Sequence, residues 1–167
     1  QRQAIEDLLQ TAAEINFFDT PPDTITAGIV WDAKLIVSNN TGHNFPSGTT
    51  FPRQLWIELI ATIGNDTLLT SGWLDANGDL LDFYTDPSGE QDPQLRIFNT
   101  ILYDAQGDSG LLAVSVENMV TMTDRTLPVS GSRTINYSIN IPVGIEGELH
   151  FSAKLRFRSF PPFYLRH

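Results

Sequence analysis

Most of this chain alternates between apolar and polar positions. Ile29, Trp31, Ala33, Leu35 and Val37 interleave with Val30, Asp32, Lys34, Ile36 and Ser38, the period of a strand with one buried face. Residues 54–62 carry Leu55, Ile57 and Leu59 on one side, and 67–74 form a third, short strand. Further on, 134–142 sets Ile135, Tyr137, Ile139 and Ile141 against Thr134, Asn136, Ser138 and Asn140. Residues 149–157 set Leu149, Phe151, Ala153, Leu155 and Phe157 against His150, Ser152, Lys154 and Arg156. Strands are also predicted over 95–104 and 111–116, flanking a turn at 105–110, whereas 119–127 is less regular. Seven or so short strands separated by turn signals predict an antiparallel β-sandwich of Ig-like kind.

One segment has a different period. Ile5, Leu8, Leu9, Ala12 and Ile15 share one face at helical spacing, opposite Arg2, Glu6, Gln10 and Glu14, which predicts a helix over 2–16. Pro21 and Pro22 close that region, because consecutive prolines cannot continue a helix. The expected organisation is a helix and linker over 1–20 and a sandwich over 21–167, with a Pro-rich aromatic arm at the C-terminus.

Composition narrows the function. A chain of 167 residues with 41% hydrophobic content suits one globular domain. No apolar run approaches the length of a membrane span. The net charge of −10 argues against nucleic acid as the main partner. Residues 1–150 hold all 20 acids, whereas 151–167 hold Lys154, Arg156, Arg158 and Arg166 and no acid; a basic end on an acidic body suggests docking. The absence of cysteine excludes disulfides, thiolate metal sites, cysteine nucleophiles and thioether attachment of a c-type haem within this sequence. Few lysines, many Asn, Thr and Ser and the acidic balance suit an exported bacterial protein, and a start at Gln1 suits a processed form or a fragment. Gly-x-Ser-x-Gly, His-Glu-x-x-His and a phosphate-binding glycine loop are all missing, so the chain is expected not to be an enzyme.

Three stretches carry candidate chemistry. The first is Ser38-Asn39-Asn40-Thr41-Gly42-His43-Asn44-Phe45-Pro46-Ser47-Gly48-Thr49. It places a histidine in a loop of turn-forming residues just after a strand. His43 reads either as an axial haem or metal ligand, since neutral imidazole binds iron well, or as a structural histidine bonded to the loop backbone. The second is Asp75, Asn77, Asp79 and Asp82, which read first as a solvated Asn-Gly hairpin turn and secondarily, through their alternating oxygens, as a calcium site. Calcium there would make the chain a calcium-dependent or glycan-binding β-sandwich module. The third is the end from Arg156 to His167, where Pro161 and Pro162 predict an extended segment. Its aromatic residues either pack on a partner or close the chain's own sandwich.

Taken in order, the Ala/Leu-rich helix, "SNNTGHNFPSG", Arg53, "LWIELIA", "TSGWLDANGDL", "TDRTLPVSGSRTINYSINIP" and "LRFRSFPPFYL" resemble the C-terminal β-sandwich domain of multihaem c-type cytochromes. The resemblance implies a non-catalytic domain or subunit of an extracytoplasmic electron-transfer assembly, in the periplasm or at the cell surface. The Cys-x-x-Cys-His part is absent from this sequence, so any haem c would be carried by a partner chain or a missing N-terminal part. The resemblance further implies that His43 supplies an axial ligand to that haem, and that Arg53, Arg156 and Arg158 meet haem propionates or the partner.

Overall fold

The structure, a computed structural model, describes residues 2–83, 85, 88–109 and 116–166, the first four of them by backbone alone. The order of elements is α1 (Arg2–Ala12), β1 (Ala13–Phe17), β2 (Val30–Asn39), β3 (Gln54–Ile63), β4 (Asp66–Ser71), β5 (Ile97–Phe98), β6 (Thr100–Tyr103), β7 (Thr121–Asp124), β8 (Ser132–Asn140), β9 (Leu149–Arg158) and α2 (Pro162–Arg166). All strand pairs are antiparallel. The chain is mainly β and sandwich-like, with one helix at its N-terminus.

One sheet runs β1-β2-β8. In the other, β3 pairs along its full length with β9, and its opposite edge is shared by β4 and β5. The alternation seen in the sequence becomes the core between them. Ala33, Leu35, Val37, Tyr137 and Ile139 come from the first sheet, and Leu55, Ile57, Leu59 and Ala61 from the second. Burying each of the larger aliphatic side chains contributes about 1.5–3 kcal/mol. The half-buried Phe151, Ala153, Leu155 and Phe157 of β9 pack against this layer.

The start of β3 is buried on both faces, because the segment after β4 folds back over the outer one. Trp56 there donates its indole N–H to the Gly72 carbonyl at 2.9 Å. Gly72 has φ +71°, and a Cβ at that position would stand 2.0 Å from the Ile57 carbonyl oxygen. Only glycine fits this close approach.

Three sequence expectations are corrected. The helix stops at Ala12 rather than running to residue 16. From Ala13 the pattern also fits a period of two, with Ala13, Ile15 and Phe17 inward, and pairing with β2 wins because it satisfies backbone groups along a whole strand. Asn40 closes the helix end, its backbone N–H donating to the Ala12 carbonyl at 2.9 Å. The partner of β6 is β7, within the stretch that looked irregular, and residues 111–115 lie outside those described. The C-terminal segment is not extended: Pro162–Arg166 forms a short helix, with Phe163 buried.

The pairing registers define two ends. Asn39, Gln54, Ser132 and Arg158 lie at one end of the sandwich, together with α1, the His43 loop and α2. Trp31, Ile63, Ile141 and Leu149 lie at the other.

Candidate functional site

The His43 loop is built on Asn39, the last residue of β2, whose side chain is 3% exposed. Its amide donates to the carbonyls of His43 at 2.7 Å and Pro128 at 2.9 Å, while its Oδ1 accepts the Thr41 backbone N–H at 2.9 Å and hydroxyl at 2.7 Å. Asn is suited to this position because one planar group supplies two donors and an acceptor. Phe45 then forms a reciprocal pair of backbone bonds with Leu127, at 2.9 and 2.7 Å, and its ring stacks on Phe157 at 5.9 Å. A cis peptide joins Phe45 to Pro46. Asn44 accepts the Val129 backbone N–H at 3.1 Å and donates to Asp124 at 3.4 Å.

The 124–131 segment is itself fixed. Asp124 accepts the Thr126 hydroxyl at 2.6 Å and backbone N–H at 2.8 Å. The hydroxyl bond is the largest cause that holds the Asp124 carboxyl below its ordinary range; burial opposes it, and the Thr126 backbone N–H adds to it. The loop is therefore polar, exposed and tightly braced.

His43 is exposed at the top of this frame. Its Nδ1 lies 3.0 Å from the Asn44 carbonyl oxygen and 3.2 Å from the Thr41 hydroxyl. A carbonyl oxygen only accepts, so Nδ1 bonds to Asn44 in the tautomer that carries the proton there, and in that tautomer the lone pair lies on Nε2. A backbone carbonyl holding one ring nitrogen while the other is free is the arrangement of a metal-ligating histidine. The ring nitrogen and its exposure fit an axial ligand to an iron borne by another segment. The lack of cysteine means that no thioether haem attachment comes from this chain.

The other candidate residues are more engaged. Arg53 donates to the Ser47 carbonyl inside the loop. Arg156 makes a two-pronged pair with Glu58, at 2.7 and 3.1 Å, across the β3–β9 ladder. Arg158 is half-buried against the Trp56 ring, 5.1 Å from its centroid, and donates to Gln54 and to the Gly78 carbonyl. Burial pushes its guanidinium down from the ordinary value, opposed by the carboxylates of Asp79, Asp82 and Asp75. All three arginines lie at or near the His43 end, though none touches His43.

The acidic hairpin is an internal bracket. Asp75 Oδ1 accepts the backbone N–H groups of Asn77 and Asp79, each at 2.8 Å, and Asp82 accepts that of Thr85 at 2.7 Å. Asp79 is 1% exposed; it accepts the Phe163 backbone N–H at 2.9 Å and pairs with Arg166. The structure thus brings Asp75, Asn77 and Asp79 together around backbone donors, and among the described residues no group of three or more carboxylate or imidazole side chains is arranged to hold a metal ion. Asn39 and Asp124, which organise the site, were not among the candidates read from the sequence. The only sequence signal for Asn39 is a polar residue falling on the inward face of β2.

The same end of the sandwich exposes apolar surface. Leu8 of α1 is 69% exposed, Leu165 of α2 is 72% exposed, and Phe160 stacks on Tyr164 at 6.2 Å with both rings partly open. No helix among the described residues is long and apolar enough to cross a membrane.

No family model and no curated protein sequence matches the chain. Among solved structures it is similar to a penta-heme cytochrome c552 from Thermochromatium tepidum, with a TM-score of 0.64 and 20% identity, covering 96% of this chain and 35% of that one. The chain therefore spans about a third of the length of that cytochrome chain. At this identity the likeness is one of architecture: the chain shares the fold of part of that cytochrome chain.

Proposed function

We propose that this chain is a non-catalytic β-sandwich domain or subunit of an extracytoplasmic multihaem cytochrome assembly, and that its His43 end packs on a haem-bearing polypeptide. The observation that carries this reading is His43 itself: Nδ1 is bonded to the Asn44 carbonyl, Nε2 is free, and the loop beneath is braced by Asn39. Likeness of fold to part of a penta-heme cytochrome supports it. So does the exposed apolar surface of α1 and α2 at the same end of the sandwich, which a partner would cover.

In this reading the chain's residues act by position. His43 offers Nε2 to a haem iron, whose chemistry is electron transfer. Leu8, Phe160, Tyr164 and Leu165 exclude water from the contact, and lower local polarity is one of the means by which a protein sets a haem potential. Arg53 and Arg158, near the rim, carry the charge that would face propionates, where a planar guanidinium forks onto a carboxylate.

The test is a His43→Ala substitution in the assembled native protein, followed by absorption and electron paramagnetic resonance. Loss of one low-spin haem signal, with the haem content unchanged, is expected. An identical spectrum would remove His43 as a ligand.

A further inference from the structure

The end of the sandwich opposite His43 holds a cleft of about 710 Å³, between the segment after β1 and the turn that joins β8 to β9. Its floor is aromatic. Phe151 lies 5.1 Å from Phe17 and 6.2 Å from Trp31 by ring centroids, the latter edge-on, and all three rings are half-buried. Its rim is acidic, formed by Asp23, Glu146 and Glu148, and no lysine or arginine lines it. Among the described residues these three carboxylates make no ion pair or hydrogen bond. Gly147, with φ +137°, approaches the side chain of Ile63 so closely that a Cβ would stand 3.0 Å from it. That approach draws the turn onto the sandwich and sets Glu146 and Glu148 beside the opening.

An open aromatic floor attracts cations through the negative faces of its rings, and unpaired carboxylates at the rim add Coulombic attraction. The size falls within the range of small-ligand pockets, roughly 300–1,000 Å³. Apolar walls with a one-signed rim select a particular chemistry. We propose that this cleft binds a small organic cation on an apolar body, its ammonium head between the rim carboxylates and its body on the Phe17, Trp31 and Phe151 floor. The inference stands apart from the haem reading, which concerns the other end.

The test is calorimetric titration of the protein with benzyltrimethylammonium chloride, alongside neutral benzyl alcohol. Saturable binding of the cation is expected, with the alcohol at least about 10-fold weaker and the cation weakening as salt is raised. The triple variant Asp23→Asn, Glu146→Gln and Glu148→Gln should fold, since these side chains are exposed, and should bind the cation at least about 10-fold more weakly. Three results would overturn the proposal: no saturation up to about 10 mM, equal binding of the alcohol, or unchanged affinity in the triple variant. Sedimentation of wild type and triple variant adds a fourth. A self-associated protein that the triple variant dissociates would mean that the cleft holds another copy of this chain.

Discussion

Asn39 donates its side-chain amide to the backbone carbonyl of His43, 2.7 Å away, from a position that is 3% exposed. A residue of the core face thus sets the height and pitch of the exposed imidazole. Replacing Asn39 by Ala leaves the Thr41 N–H without its acceptor and takes one donor from each of the carbonyls of His43 and Pro128, which keep the Thr41 hydroxyl and the Gly131 N–H. A loss of about 2–3 kcal/mol in denaturant unfolding is expected. Asn39→Asp should not rescue it, because a carboxylate cannot donate to those carbonyls. Equal stability of the Asp variant and wild type would contradict this account of the loop.

The C-terminal helix depends on Asp79. Its carboxylate accepts the Phe163 backbone N–H and pairs with Arg166. Asp79→Ala is expected to cost about 1–3 kcal/mol, and to raise amide exchange at Phe163 well above that at Leu59 in the core. Unchanged protection of Phe163 would show that α2 is held by other contacts.

Close approach at Gly72 separates two costs of replacing glycine. Gly64 has φ +58° with nothing near its missing Cβ, whereas Gly72 has φ +71° and faces the Ile57 carbonyl oxygen. Gly64→Ala should cost about 1 kcal/mol from backbone strain alone. Gly72→Ala should cost roughly 2–4 kcal/mol, because the ladder of β3 must shift as well. Thermal unfolding of the two variants checks the order; equal losses would contradict the packing of residues 71–73 over Trp56.

Acid sensitivity follows from Asp124. Its carboxyl is held below the ordinary range, chiefly by the Thr126 hydroxyl. A depressed folded-state value contributes stability that is present above the unfolded value of about 4 and is lost as pH falls through the lower folded value. Thr126→Val removes the hydroxyl bond and returns Asp124 toward its ordinary value. The variant should therefore lose more stability at about pH 7 than at about pH 2.5. Equal losses at the two pH values would assign the effect to packing rather than to the carboxylate.

Legibility in the sequence varied with the kind of contact. The cores of β2, β3, β8 and β9 were legible because each presents one clean apolar face, and Ala33, Leu35, Ile57, Leu59, Tyr137 and Ile139 all sit where the alternation puts them. The end of α1 was not legible, because Ile15 satisfies both a helical and a strand period. Pairing with Val37 across the β1–β2 ladder, which no local pattern shows, decides it. Strand β7 was hidden for a similar reason: Thr121, Met122, Thr123 and Asp124 are all exposed, so they have no burial alternation to read. At the site, His43 was visible as a lone imidazole among turn residues. The braces from Leu127 and Pro128 stand 88 and 89 positions from Asn39, and only the fold brings them there.

Isolation of the protein that carries this sequence from its native source, with absorption recorded across the purification, decides whether the chain belongs with haem. A Soret band that co-purifies with this sequence, in the same polypeptide or in a tightly bound partner, is predicted. A homogeneous native preparation without haem would contradict the assignment to a multihaem cytochrome assembly.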